Sequence, residues 1–271
     1  MNPTEVLLRM KAYDHFIRVK NSGKPIKSVI QELSHQYEIP EENFYRWNSG
    51  KTPVGRKGAI QYNSELLYVI GAILGDGCLY RYKPNNNHVI VVGDEQFTAK
   101  YASKAFLCTG SYRKNYIVRS KTVWTVSINN FELARLFEHS RLNVWHLKPI
   151  IYELGRDAAL AFIEGFFDAE GCVKVICEKT RKTPKICLDI TNTNLEYINF
   201  TRTLLKDFLN IDSNYSIQKP VLGADGHLRK KAFHLRIYKK SAIKDFLAVL
   251  STTKMTPQKH VLTQNWLFNG R

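Results

Sequence analysis

Apolar residues recur at helical spacing in three short stretches before residue 50. Val6, Leu7, Met10, Tyr13 and Ile17 predict an amphipathic helix over residues 3–20, which Gly23-Lys-Pro25 ends. Ile26, Val29, Ile30 and Leu33 predict a second helix over residues 26–37. Pro40 opens a short third one at its first turn, where proline is tolerated; this helix carries Phe44, Tyr45 and Trp47 and stops near Gly50. Helix, tight turn, short helix is the outline of a helix-turn-helix. The stretch Lys51-Thr-Pro-Val-Gly-Arg-Lys-Gly58 reads as a basic, breaker-rich linker.

Beyond the linker the pattern runs through the same order twice. A helix capped by Asn63 or Ser64 reaches Gly75. Alternation predicts a strand pair over residues 78–83 and 88–92, a helix over 94–107, strands over 112–119 and 122–128, and a helix over 131–138. A further segment, residues 145–154, leads into the second round. There the expected elements are a helix over 157–168, strands over 172–178 and 185–191, a helix over 195–209, strands near 213–219 and 231–238, and a helix over 241–250. Each half therefore reads α-β-β-α-β-β-α. The expected fold is α+β: a pseudo-twofold pair of αββαββα units with antiparallel, saddle-shaped sheets, preceded by a small all-α domain. The expected boundaries are 1–60, 61–155 and 156–271. The final residues, 251–271, carry Trp266 and Phe268 and are expected to pack back on the second half.

The two unit-opening helices carry an unusual motif. The first ends Val69-Ile-Gly-Ala-Ile-Leu-Gly-Asp-Gly77, and the second ends Ile163-Glu-Gly-Phe-Phe-Asp-Ala-Glu-Gly171. Gly71 and Gly75 share one helical face, as do Gly165 and Ala169. Glycine inside a helix costs about 1 kcal/mol against alanine, so a compensating close approach of two helices is expected. Asp76 and Glu170 fall at the helix C-termini, each followed by a glycine that is expected to terminate the helix in the left-handed conformation. Carbonyls and the helix dipole make those ends negative, which disfavours an acid unless a cation joins it. Two such acids side by side suit Mg²⁺, which takes oxygen ligands and keeps several waters. The expected metal set is Asp76 and Glu170 with Gly75 and Ala169 beside them; Mn²⁺ or Ca²⁺ can substitute. A lone Asp-Gly is ordinarily a hairpin turn, and it is the duplication that argues otherwise.

Composition narrows the partner. Lys and Arg outnumber Asp and Glu by 40 to 24, a formal charge of +16, which calls for a polyanion. Apolar content of 44% is ordinary for a globular protein, and the longest apolar run, Leu66–Leu74, is too short for a membrane span. Five cysteines with no Cys-x-x-Cys argue against a disulfide framework or a zinc site. No signal-peptide core is present at the start, so an intracellular, soluble protein is expected.

Strand alternation then supplies a surface for that polyanion. Trp124, Val126 and Ile128 are expected to face the helices, leaving Thr125, Ser127 and Asn129 outward. Ile186, Leu188 and Ile190 face in, leaving Lys185, Cys187, Asp189 and Thr191 out. Phe233, Leu235 and Ile237 face in, leaving His234, Arg236 and Tyr238 out. Tyr80, Tyr82 and His88 are similar. Such a face suits the major groove of double-stranded DNA, which admits β-ribbons. The loops Lys179-Thr-Arg-Lys182 and Arg229-Lys-Lys231 are expected to grip phosphates. On the N-terminal domain, Tyr45, Arg46 and Asn48 are expected near the groove, with Phe44 and Trp47 in its core.

The paired acid–glycine helices in this strand context resemble the LAGLIDADG homing endonuclease family in its single-chain, two-motif form, over roughly residues 63–250. The resemblance implies that the motif helices form the interface between pseudosymmetric halves, and that Asp76 and Glu170 bind divalent metal. It also implies a monomer that hydrolyses both DNA strands with a staggered break, as in intron homing. The family's earlier motif acid corresponds to Asp168 in the second copy and to Leu74 in the first, so Asp168 is read as structural rather than a ligand. The family's accessory lysine and glutamine-like residues point to Lys174, otherwise a phosphate contact, and to Asn192. Their first-half counterparts are Arg81 or Tyr80, and Gly93. Gly93 has no side chain, so the accessory shell is asymmetric or drawn from elsewhere. An RNA-splicing maturase or a non-cleaving regulator on the same scaffold is the alternative. A purely structural domain leaves the paired acids unexplained.

Overall fold

The computed structural model describes residues 3–21, 23–49, 60–83, 86–109, 115–120, 123–176, 185–222 and 226–269. Three helices come first: α1 (Pro3–Val19), α2 (Ile26–Tyr37) and α3 (Glu41–Asn48). They close around a core of their own, built from Ala12, Phe16, Val29, Ile30, Leu33, Ile39, Phe44 and Trp47. Phe44 and Trp47 meet edge-on with ring centroids 4.6 Å apart. Trp47 and Phe44 are thus core, as expected, and Tyr45 and Arg46 are exposed. The turn between α2 and α3 is held by the left-handed Glu38, whose φ is 53°, and by the Ser34 hydroxyl donating to the Ile39 carbonyl at 2.7 Å. The linker over residues 51–58 lies outside the described residues.

The first unit comprises α4 (Ser64–Asp76), β1 (Gly77–Lys83), β2 (Asn86–Gly93), α5 (Glu95–Thr109), β3 (Asn115–Ser120), β4 (Val123–Asn129) and α6 (Phe131–Leu142). Asn63, not Ser64, caps α4: its side chain accepts from the Leu66 amide at 3.0 Å. Residues 144–154, expected only as a connecting segment, form a 3-10 turn and the short helix α7 (Lys148–Leu154). Lys11 of α1 pairs with Glu153 of α7, tying the first helices to this connection.

The second unit repeats the order. It comprises α8 (Arg156–Glu170), β5 (Gly171–Ile176), β6 (Lys185–Asn192), α9 (Leu195–Leu209), β7 (Asn214–Gln218), a small hairpin of β8 (Val221–Leu222) and β9 (Leu228–Arg229), then β10 (Ala232–Ile237) and α10 (Lys240–Val249). A last helix, α11 (Pro257–Asn269), packs back against β5 and β6. The two sheets have orders β1-β2-β4-β3 and β5-β6-β10-β7, and every pairing is antiparallel. The architecture is therefore α+β, with two matching αββαββα units behind a helical one.

Register makes the correspondence residue by residue. Gly77 pairs with Val91 and Gly171 with Ile190. Tyr80 thus occupies the place of Lys174, Ile90 that of Asp189, and Gly93 that of Asn192. By the same pairing Thr125 stands for His234 and Ser127 for Arg236.

The main core lies between the helices and the inner faces of both sheets, and α4 and α8 run through its middle. These two helices touch backbone to backbone. A Cβ on Gly71 would stand 2.3 Å from the Phe162 carbonyl oxygen, and one on Gly165 only 2.0 Å from that of Tyr68. One on Gly75 would lie 2.5 Å from the Ala169 Cβ. The glycine spacing is a seam, as expected.

The glycines after the acids behave differently from expectation. Gly77 and Gly171 are extended, with φ of −88° and −86°, not left-handed. Glycine is required there by space instead: a Cβ would sit 2.3 Å from the Ile73 carbonyl oxygen and 2.4 Å from that of Phe167. The chain passes straight from each helix into the first strand of its sheet, so the acid is the hinge between the two elements.

Gly165→Ala tests the seam. Alanine would gain about 1 kcal/mol of helix propensity, but the carbonyl it meets is backbone and cannot rotate away. The expected net effect is a loss of about 2–3 kcal/mol in denaturant unfolding, against a gain if the helices were not in contact.

Candidate active site

Asp76 and Glu170 are the last residues of α4 and α8, so the seam that joins the helices also joins the acids. The Cβ that Gly75 lacks would lie 2.8 Å from the Glu170 Cγ and 3.5 Å from its Oε1. The closeness shows in the electrostatics. Partial burial pushes the Glu170 carboxyl up to about 7, the neighbouring Asp76 charge adding to the rise. Asp76 is also raised, by burial at its site. Two carboxylates that resist ionisation are short of positive charge.

Two side chains oppose that rise. Asn192, at the end of β6, donates to Glu170 Oε1 at 2.7 Å. Lys254, from the segment between α10 and α11, lowers both acids through its charge. Its ammonium lies 5.8 Å from the centre of the Phe97 ring. Phe97 in turn fills the space beside Gly93, where a Cβ would meet its Cδ1 at 2.6 Å. The place that Asn192 occupies in the second unit is therefore filled by an aromatic ring in the first. The accessory shell is asymmetric, and its other member arrives from the far end of the chain. Nothing in the local pattern around Lys254 marks it; only tertiary packing reveals it.

Lys174 is not at the acid pair. It pairs with Asp189 on the neighbouring strand. Asp189, expected to point outward to DNA, does project from that face but is only 1% exposed. His234 Nδ1 lies 3.3 Å from both its oxygens and Arg236 Nε 3.5 Å from Oδ2. The acid lies beneath three basic side chains and cannot itself meet a base. His234 is likewise buried, between Thr191 Oγ1 at 2.9 Å and Gln218 Oε1 at 2.8 Å. Ser127 is buried against the His88 ring, its hydroxyl 2.8 Å from Nδ1, and Cys187 is buried too. These four were expected to be outward and solvated. Long neighbouring side chains on the same face cover them, which strand alternation cannot foresee.

Other described residues of the expected surface are accessible. Tyr80, Tyr238, Arg229 and Lys231 are exposed, and Thr125, Asn129, Lys185 and Arg236 are partly so. Lys185 stacks its ammonium 5.1 Å from the centre of the Tyr238 ring. The Tyr82 side chain and the loop over residues 179–182 lie outside the described residues.

Asp168 lies two residues before Glu170 and is wholly buried. Tyr68 Oη and Lys100 Nζ donate to its Oδ2 at 2.9 and 2.8 Å. Thr252 Oγ1 and the Thr253 amide donate to Oδ1 at 2.6 and 2.7 Å. Both oxygens of Asp168 are thus occupied by donors of the protein itself.

A divalent cation suits the acid pair. The donors are two carboxylates, both raised by burial, with the Asp76 charge adding to the rise at Glu170. Among the described residues no group of three or more His, Cys, Asp or Glu that could hold a metal ion gathers.

Paired helix-end acids on a duplicated αββαββα frame define a class, and comparison with known proteins agrees. Residues 157–251 match the family model of a LAGLIDADG-like domain. The second unit therefore carries a LAGLIDADG-like domain, and the first repeats its order of elements from α4 to α6. Similar solved structures include I-DmoI in complex with DNA and Ca, 21% identical, covering 75% of this chain and 98% of that one with a TM-score of 0.49. I-DmoI with DNA and Mn is 22% identical over 71% of this chain and 99% of that one, TM-score 0.49. The N-terminal LAGLIDADG domain of DUF199/WhiA is 15% identical over 74% and 88%, TM-score 0.48. No curated protein sequence matches the chain.

The raised Glu170 carboxyl gives a pH signature in the metal-free protein. The folded state holds its proton up to about pH 7, whereas the unfolded state releases it near 4.5. Between those values the folded state binds more protons, so stability falls as pH rises. Glu170→Gln should therefore raise the melting temperature at pH 8 and change it much less at pH 4.5. Adding Mg²⁺ should raise the wild-type melting temperature at pH 8 and leave that of the variant nearly unmoved.

Proposed function

We propose that the chain is a site-specific endonuclease that hydrolyses phosphodiester bonds of double-stranded DNA with a divalent metal, Mg²⁺ foremost. The observation that supports this best is the meeting of Asp76 and Glu170 at the seam, short of positive charge, on a chain of formal charge +16. The domains are taken as 1–60, 61–155 and 156–271, and one chain supplies both acids, so a monomer suffices.

Asp76 and Glu170 would hold the metal, with Gly75 and Ala169 keeping their helices close enough to share it. A metal bound there supplies Lewis acidity to the scissile phosphate and lowers the pKa of an attacking water. Asn192 orients the Glu170 carboxylate. Lys254 supplies positive charge where negative charge develops on the phosphate in the transition state. One acid per helix allows one cut per strand, and hence a staggered break.

Tyr80, Tyr82, His88, Thr125, Asn129, Lys185, Arg236 and Tyr238 form the proposed base-reading face, and Arg229 and Lys231 grip phosphates. Asp189 serves that face from beneath, by pairing with Lys174 and Arg236. Tyr45 and Arg46 are proposed as accessory contacts of the N-terminal unit. Residues 1–50 hold seven Lys and Arg against six Asp and Glu, so this unit adds little to the electrostatic attraction. Among the described residues no helix is long and apolar enough to cross a membrane.

Duplexes captured from a random library in EDTA and then given Mg²⁺ provide the test. Wild-type protein should cut both strands, while Asp76→Asn and Glu170→Gln should lose double-strand cutting and keep their metal-free affinity. Binding without any cutting by the wild type would favour the maturase or regulator reading. Affinity should fall steeply with salt, in proportion to the phosphates engaged.

A further inference from the structure

The cluster around Asp168 does more than fill a buried space. Its four donors come from three separated parts of the chain: Tyr68 on α4, Lys100 on α5, and Thr252 with Thr253 in the segment after α10. Thr252 is 84 residues from Asp168 in sequence. The cluster is closed twice over, because Lys100 also donates to the Ser251 carbonyl at 2.6 Å and pairs with Glu164. Thr252 uses its hydroxyl in both directions. It donates to Asp168 Oδ1 and accepts from the Lys254 amide at 3.1 Å. A continuous path of hydrogen bonds therefore runs from a fully buried carboxylate in the motif helix to the backbone of the lysine at the acid pair.

Among the described residues the path exists in one unit only. The residue of the first motif that corresponds to Asp168 is Leu74, which is buried and apolar. The first unit thus has no equivalent clasp. It also has no side chain at Gly93 to match Asn192. One lysine, held by one clasp, serves both acids.

We propose that Asp168, acting through Thr252, is a positioning residue that sets Lys254 against Asp76 and Glu170 for phosphodiester cleavage. The proposal rests on the endonuclease reading above. Without the clasp, residues 251–256 would still be tethered between α10 and α11, but the lysine would lose the backbone geometry that aims it. Misplacement of a charge-stabilising group by an ångström can cost roughly 10- to 100-fold in rate without touching binding.

Because Asp168→Asn removes the buried charge on which four donors converge and can unfold the chain, the milder Thr252→Val carries the test. It removes the relay and keeps the carboxylate, Lys100 and Tyr68. Under single-turnover conditions with Mg²⁺ and saturating DNA, Thr252→Val should cut roughly 10- to 100-fold more slowly. Its DNA affinity in EDTA should match that of the wild type, and Thr252→Ser should restore the rate. In a Lys254→Met background the same substitution should add no further loss, since its effect passes through Lys254. Amide exchange of the metal-free protein should quicken at Thr253 and Lys254 while α8 is unchanged. A wild-type rate for Thr252→Val, an equal loss in both backgrounds, or unaltered exchange at those amides would overturn the role while leaving the endonuclease reading intact. A wild-type chain that binds duplex DNA and never cuts it overturns both.

Discussion

Two helices without side chains between them hold this molecule together and bring its chemistry to one point. Where α4 crosses α8 the carbonyls of Phe162 and Tyr68 stand in the space that side chains of Gly71 and Gly165 would claim. Glycine in a helix is locally unfavourable, so the seam exists only because tertiary packing offsets that cost. The acids at the helix ends follow from it. They are brought together because the helices they terminate cannot separate, and the chain leaves each acid directly into its own sheet. The same contact thus fixes the relation of the two units, the spacing of the carboxylates and the placing of both sheets.

Charge is distributed unevenly about that axis. The second sheet buries Asp189 beneath Lys174, His234 and Arg236, while the matching positions of the first hold Ile90, Tyr80, Thr125 and Ser127. At the acid pair, Asn192 stands on one side and the Phe97 ring on the other, with Lys254 above it. Duplication of the frame has been kept while duplication of the polar residues has not.

The last residues of the chain acquire their meaning from this asymmetry. The segment after α10 is bound to the motif helix through Asp168 and to α5 through Lys100. Helix α11 then lies back along β5 and β6. The acid that distinguishes the second motif from the first is the one that secures this return.

Much of the molecule is legible from residue order alone. Helical and alternating periodicities identify the helices and strands, since burial of one face is a local property of sequence. The duplicated small-residue motif announces the seam, because interior glycines need a steric reason, and Asp76, Glu170 and Asn192 come together as their positions suggest. What only the folded chain decides are relations between distant segments. Alternation places Asp189, His234 and Ser127 on the outer face, yet cannot show that longer neighbours cover them. Gly77 and Gly171 look like left-handed caps, yet are required by space beside a carbonyl. Lys254 and Thr252 carry no local mark, for their roles arise from contacts across most of a domain, and such contacts have no period to read.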